Sequence, residues 1–461
     1  MAVTIGGAVV TVSVQSRVAH VWRRMGFGPA PGDVDAGVSL GVNNLINQLL
    51  ARPTTTLSDW AWPTDQGVWQ DAINWLTRLF ENWAQSPGQL QERVSWILAG
   101  LLVAGATDAV QYADYKDHHT RLRMWPTAAS YQSLLQDVAT SGAMQKYLTN
   151  VFSVPPHPNQ NLAREIMELF SLGVTHPKTG ATNYSQTDVT EIARALTGYV
   201  MDWNTLVVSW DQQYWDSGTK TFLGAARGAA QLPDVVSAIA SQDSFKYFVP
   251  KRLYREFMGF DPSATAMDDM ASVWGSSGDL HGLISHIVHR PEFTANATIG
   301  NRVKSPVELI VSQMRVLGVQ DVTNWNTFWA SSLLRECPIL PPNVAGFGSM
   351  WLHPTNIVVW ARLNYWYTWH DSGPDNDGTD KATPPAEQNP TVRKLYAQAD
   401  RTTAADMALQ LAGLYDVSSQ TRSAIDAYAK ATDYGANEPW SFARACGVMQ
   451  MVFDSPEFLV G

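Results

Sequence analysis

The chain has 461 residues, of which 45% are hydrophobic and 16% charged, and its net charge is −10. Such a composition fills a large core, and with no lysine or arginine block it argues against a nucleic-acid groove or an anionic-membrane binder. No apolar run reaches the roughly 18 residues of a membrane span, and Cys337 and Cys446 are too few for a secreted disulfide scaffold.

The apolar, alternating start, residues 1–14, predicts a short strand or extended arm. It lacks the basic and apolar regions of a signal peptide, which leaves a cytoplasmic chain or one exported with its signal absent. From Ser16 the period becomes helical, with Val18, Val21, Trp22 and Met25 on one face. Helices are predicted over Val68–Gln85, Gly88–Ala104, Ala128–Thr140, Ala143–Phe152, Leu162–Leu172 and Gln186–Thr197. Between Val200 and Lys220 the pattern weakens, and Val207, Val208, Trp210 and Tyr214 suggest a small hairpin. Helical periods resume over Leu232–Gln242, Phe245–Phe257, Ala264–Ser276, Asp279–His289, Pro306–Val316 and Asn324–Leu334. They return over Ala404–Leu414, Ser418–Ala431 and Trp440–Phe453. Residues 371–390 carry no core-forming residue and read as a mobile loop. The expected fold is therefore mainly α: one large multi-helix globular domain over 1–461 with a small irregular β element. Its parts would be a helical stretch 15–200, an irregular or β insertion 200–230, and a helical stretch 230–461.

Polar chemistry concentrates between Asn159 and Tyr199. In the first helix Arg164 and Glu168 are i,i+4 neighbours, Glu165 and Glu168 are i,i+3 neighbours, and Ala163, Ile166, Met167 and Phe170 form the apolar face. In the second, Asp188, Glu191 and Arg194 repeat at i,i+3 beside Val189, Ile192, Ala193 and Leu196. The two helices should pack side by side. One reading is a buried acid/base site in which a Glu has a raised pKa and an arginine clamps the substrate. The other is a salt-bridge network that fixes helix register.

Other clusters are weaker. His281, His286 and His289 share a helix but lack a convergent third ligand for a metal. Asp375, Asp377 and Asp380 miss the spacing and the closing Glu of a calcium loop. His118 and His119, beside Asp114 and Asp117, read as exposed, with a place at the mouth of a cleft as the alternative. Cys337 and Cys446 are expected as buried reduced thiols, with a single bridge as the alternative. No nucleophile elbow, phosphate loop or dinucleotide fingerprint occurs, so neither a cofactor nor a metal is expected. The 19 Trp serve core packing or a groove in which rings stack on sugars.

The run Asn159, Asn161, Ala163, Arg164, Glu165, Glu168, Leu169, Gly173 resembles the signature of the bacterial family known as domain of unknown function 1800. So does the run Tyr184, Ser185, Asp188, Glu191, Ala193, Arg194, Thr197, Gly198, Tyr199. The resemblance continues through Arg23–Gly28, Lys220–Gly224, Lys251–Leu253 with Phe257, Lys304–Glu308 and Pro341–Phe347. Relatives commonly carry a Trp-His-Asn-His-Phe run after a Glu-Arg pair. Here Glu92-Arg93 is followed by Leu98, Ala99, Gly100, Leu101 and Leu102, without either histidine. A His-Asp pair of the family becomes Trp215-Asp216.

The residues and the resemblance together suggest a divergent enzyme, of hydrolase type, acting on a hydroxylated or polymeric substrate. Glu165, Glu168, Arg164 and Arg194 would be catalytic, and Asn159, Asn161, Asp188, Glu191, Asp216 and Lys220 would bind. The alternative is a non-catalytic assembly protein. Genes of the family often neighbour those of sulfatase-like proteins, so the resemblance implies a partner of that kind.

Overall fold

The computed structural model describes residues 12–51, 55, 68–105, 112–319, 327–348, 352–369, 389–431 and 440–461. Within them the protein is mainly α-helical, with 22 α-helices and two small two-stranded sheets. None of these helices is long and apolar enough to cross a membrane. Residues 1–11 of the expected arm and 371–388 of the expected loop, with its three aspartates, lie outside the described residues.

Local chemistry sets the helix ends. Ser13 caps Val14–Arg24 by accepting from the Ser16 N–H, so this helix starts two residues before the predicted Ser16. Ser185 with Asp188 and Ser305 with Glu308 both form reciprocal capping boxes. The expected Gly88–Ala104 helix runs only from Gln89 to Ala99, then unwinds into a turn. The expected Ala143–Phe152 helix is broken in two, Gly142–Tyr147 and a 3₁₀ turn Asn150–Phe152, with Thr149 left-handed between them.

Helices at Asp33–Leu40, Val42–Leu50, Tyr112–Arg123, Pro354–Trp369 and Pro390–Gln398 were not expected. The third corrects the reading of His118 and His119, which are buried, each 4% exposed. His118 is held between the Ser141 hydroxyl (3.0 Å) and the Leu102 carbonyl (3.1 Å). His119 packs edge-on to Trp75 and Trp83.

The β element is the expected hairpin with an added one. Strand β1 (Tyr199–Met201) pairs antiparallel with β2 (Val208–Trp210), in the register Val200 opposite Ser209. Strand β3 (Thr221–Phe222) pairs with β4 (Ala225–Ala226).

Two apolar cores result, and neither follows the order of the chain. One gathers the signature helices with Val18, Trp22, Leu135, Leu253 and Ile284. The other joins Phe27, Trp75 and Trp83 to Val311, Trp360 and Phe453. Ala99 and Tyr147 pack against both, which puts them on the seam between the cores. Cys337 and Cys446 are buried in the second core and are not bridged.

Candidate active site

Two buried charge pairs hold the seam in place. Glu92 is fully buried and accepts from Arg123 Nε at 2.9 Å and from Ser86 Oγ at 3.1 Å. Its neighbour Arg93 meets Glu308 at 2.7 Å, and Glu308 also accepts from Arg302 and the Ser305 N–H. These cations hold the Glu308 carboxyl well below the usual carboxylate range despite its burial. The helix Gln89–Ala99 is thereby fixed, and its end delivers the turn Gly100–Gly105 to the seam.

Four segments distant in sequence converge on that turn. Arg252 donates one guanidinium nitrogen to the Gly100 carbonyl (3.3 Å) and another to the Leu169 carbonyl (3.1 Å). It thus ties the turn to the C-terminal end of the first signature helix, Asn161–Glu168. Gly346 lies against the same Gly100 carbonyl. Its φ is +79°, and a Cβ there would sit 3.1 Å from that oxygen, so both conformation and space favour glycine. Gly105 is wedged between Tyr147 and Pro341, where a Cβ would lie 2.7 and 2.8 Å from their rings. Beneath the turn is a narrow cavity of about 20 Å³, room for about one water, lined by Trp75, Trp83, Trp96, Ala99, His118 and His119 among others.

Glu165 stands beside Tyr147, whose pKa is raised by its burial and by the Glu165 charge. The Glu165 carboxyl is half-buried and has no hydrogen-bond or ion-pair partner among the described residues. Burial, then the nearby Glu168, pushes its pKa up to about 7, while Arg164 opposes the shift. Glu168 itself is engaged, accepting from the Tyr184 hydroxyl at 2.9 Å. Arg164 donates to Gln186 at 3.2 Å, joining the two signature helices at the surface. One turn before Glu165 lies Asn161. Asn161 and Asn159 both donate to the Thr149 hydroxyl at 3.0 Å.

The rest of the signature forms a separate, paired network. Arg194 Nε donates to Asp216 (2.8 Å) and Arg194 Nη1 to Glu191 (2.9 Å) and the Thr219 carbonyl (3.3 Å). Glu191 accepts from the Thr221 N–H (3.0 Å) and Asp188 from the Leu223 N–H (2.7 Å). Lys220 is buried, donates to the Asp216 carbonyl oxygen, and sits 4.7 Å from the centre of the Trp215 ring. These contacts clamp β3 and its turn onto the helix Gln186–Ala195. The signature thus divides into a half-buried carboxylate pair on one helix and a saturated clamp on the other.

Sequence reasoning passed over Tyr147, Thr149 and Arg252 as site residues. Arg252 was visible within a matching motif, whereas Tyr147 and Thr149 carry no pattern of their own. The three histidines of the helix Leu280–Val288 and its end do not converge. His286 faces Arg290 (3.3 Å), His289 meets Asn47 (2.9 Å), and His281 stacks near Trp125.

Fold and site together define a mainly helical protein with a carboxyl at the junction of two cores that is unpaired among the described residues. The chain belongs to the family described as protein of unknown function (DUF1800), which it matches over residues 20–460. Comparison with curated proteins finds no match, and comparison with solved structures finds none either.

Proposed function

We propose that the protein is an acid/base enzyme, of hydrolase type, in which Glu165 transfers a proton to or from a hydroxylated substrate. The observation that carries this is the Glu165 carboxyl: half-buried, without a partner among the described residues, and with a pKa of about 7. A group poised near neutral pH serves as base in one step and as acid in the next. A carboxyl whose pKa is raised on folding costs stability once it ionises, so a stabilising network does not account for it.

Glu168, fixed by Tyr184, supplies the like charge that keeps Glu165 poised. Asn159, Asn161 and Arg164 would orient the substrate. Arg194, Asp188, Glu191, Asp216 and Lys220 act as positioning residues, because every charged end among them already has a protein partner.

The test is turnover on a panel of hydroxylated polymers and their esters. E165Q should lower kcat at least 100-fold, as expected for loss of a general acid or base, without lowering the thermal midpoint. Full activity in E165Q and in E168Q would overturn the enzymatic reading.

A second reading, a non-catalytic assembly protein that pairs with a sulfatase-like protein, is favoured by the apolar lining where relatives carry histidine. Ala99 packs against both cores there and Leu101 is buried. Co-purification with a sulfatase-like protein that survives E165Q and requires no turnover would support it.

A further inference from the structure

The β1–β2 hairpin presents aromatic rings to solvent where a soluble surface ordinarily hides them. Trp203 is 68% exposed and Phe152 51%, and their ring centroids lie 5.8 Å apart at a tilt of 33°. Trp210 and Tyr214 are exposed further along the same segment, and Trp210 neighbours Trp215 at 6.0 Å. Core packing does not use the two foremost rings, so another occupant has to be sought for them.

The charge around the rings narrows the choice. Residues 195–219 contain no Lys, Arg or His, and their three acids are Asp202, Asp211 and Asp216. Asp216 is paired with Arg194, while Asp202 and Asp211 accept backbone N–H groups of their own turns. A nucleic acid or acidic polysaccharide would meet no cation from this segment, and the adjacent Arg194 and Lys220 are already paired with Asp216. A protein hot spot would favour arginine beside the aromatics and a drier surround. Instead the rings are interspersed with exposed Asn204, Thr205, Gln212 and Gln213, which offer both donors and acceptors. Flat π-faces with a negative centre, ringed by amides and carboxylates, match the C–H faces and outward hydroxyls of a sugar ring.

The platform is also continuous with the candidate site. Phe152 ends the turn that begins after Thr149, and Thr149 is the common acceptor of Asn159 and Asn161. Asn161 in turn precedes Glu165 by one helical turn. We propose that Phe152 and Trp203 form a stacking platform for a neutral polysaccharide chain, which then runs past Thr149 and Asn161 toward Glu165. The last part rests on the acid/base reading of Glu165; the platform does not.

The experiment is affinity electrophoresis of the full chain in gels containing hydroxyethylcellulose, soluble starch or glucomannan, with alginate as the anionic control. Retardation is expected in at least one neutral gel and not in alginate. F152A/W203A should weaken that retardation at least 10-fold, W203F should keep most of it, and E165Q should migrate as the wild type does. Both rings are exposed, so the variants should melt as the wild type does. Free migration of the wild type in every neutral gel, retardation by alginate alone, or an unweakened double variant would each overturn the platform. Turnover retained by E165Q would remove the catalytic reading and leave the platform standing.

Discussion

Glu165 owes its pKa to two neighbours of different kinds, and they can be separated by mutation. Burial raises it first and the Glu168 charge second. Replacing Glu168 by Gln removes the like charge and keeps a partner for the Tyr184 hydroxyl. The Glu165 pKa should then fall, because its anion is no longer opposed. In a pH–rate profile the limb near pH 7 should move to lower pH in E168Q. A limb that stays in place would show that Glu165 does not set it. Arg252 is a different case, since it touches carbonyls at two segment ends and reaches no carboxylate at the site. R252K would keep the charge and lose the fork that reaches both carbonyls. It should raise KM or lower kcat without moving the pH limb, as befits a positioning residue.

At the scale of elements, the signature pair was legible because each helix carries an apolar face at 3.6-residue spacing and a polar cap. The division of labour between the two helices was not legible. Arg194, Glu191 and Asp188 put acids and an arginine within one turn of each other just as Arg164, Glu165 and Glu168 do, and only the fold brings Asp216, Thr221 and Leu223 to the second set. The helix Tyr112–Arg123 was missed for a related reason. Its buried residues include His118, His119 and Arg123, so its inner face reads as a solvated one until Ser141, Leu102 and Glu92 supply partners. Pro354–Trp369 was missed for the opposite reason: Ile357 and Val358 are exposed while Asn364 is buried, so no polar stripe marks its outside. The clamp makes its own prediction. R194A removes charged hydrogen bonds to Glu191 and Asp216, at a cost of about 1–3 kcal/mol. Hydrogen exchange should quicken over residues 216–228 and leave the Asn161–Glu168 helix unchanged. Equal quickening in both regions would mean that the clamp and the carboxylate pair form one cooperative unit.

For the whole molecule, two buried groups tie stability to pH in opposite senses. His118 sits in the fold as a neutral ring, its pKa lowered to about 4 by burial. Below the ordinary histidine value of about 6.5 the unfolded chain takes up this proton first, so its contribution is full above that pH and is lost as pH falls toward 4. Glu336, buried with Val307 N–H as a donor at 2.8 Å, has its pKa raised to about 8 by burial. Here the folded state holds the proton, so the contribution is full below about 4.5 and is lost as pH rises through 8. Each effect has a limiting slope of about 1.4 kcal/mol per pH unit, and comparison of single variants with the wild type isolates it. E336Q mimics the protonated acid, so its stability relative to wild type should increase steadily between pH 5 and 8, as read from denaturant melts. H118Q, which cannot take up the proton, should gain on the wild type as pH falls from about 6.5 toward 4. Parallel curves for E336Q and wild type would mean that Glu336 is ionised in the fold. The cations around Glu308, Arg93 among them, would then reach across to this side of the second core.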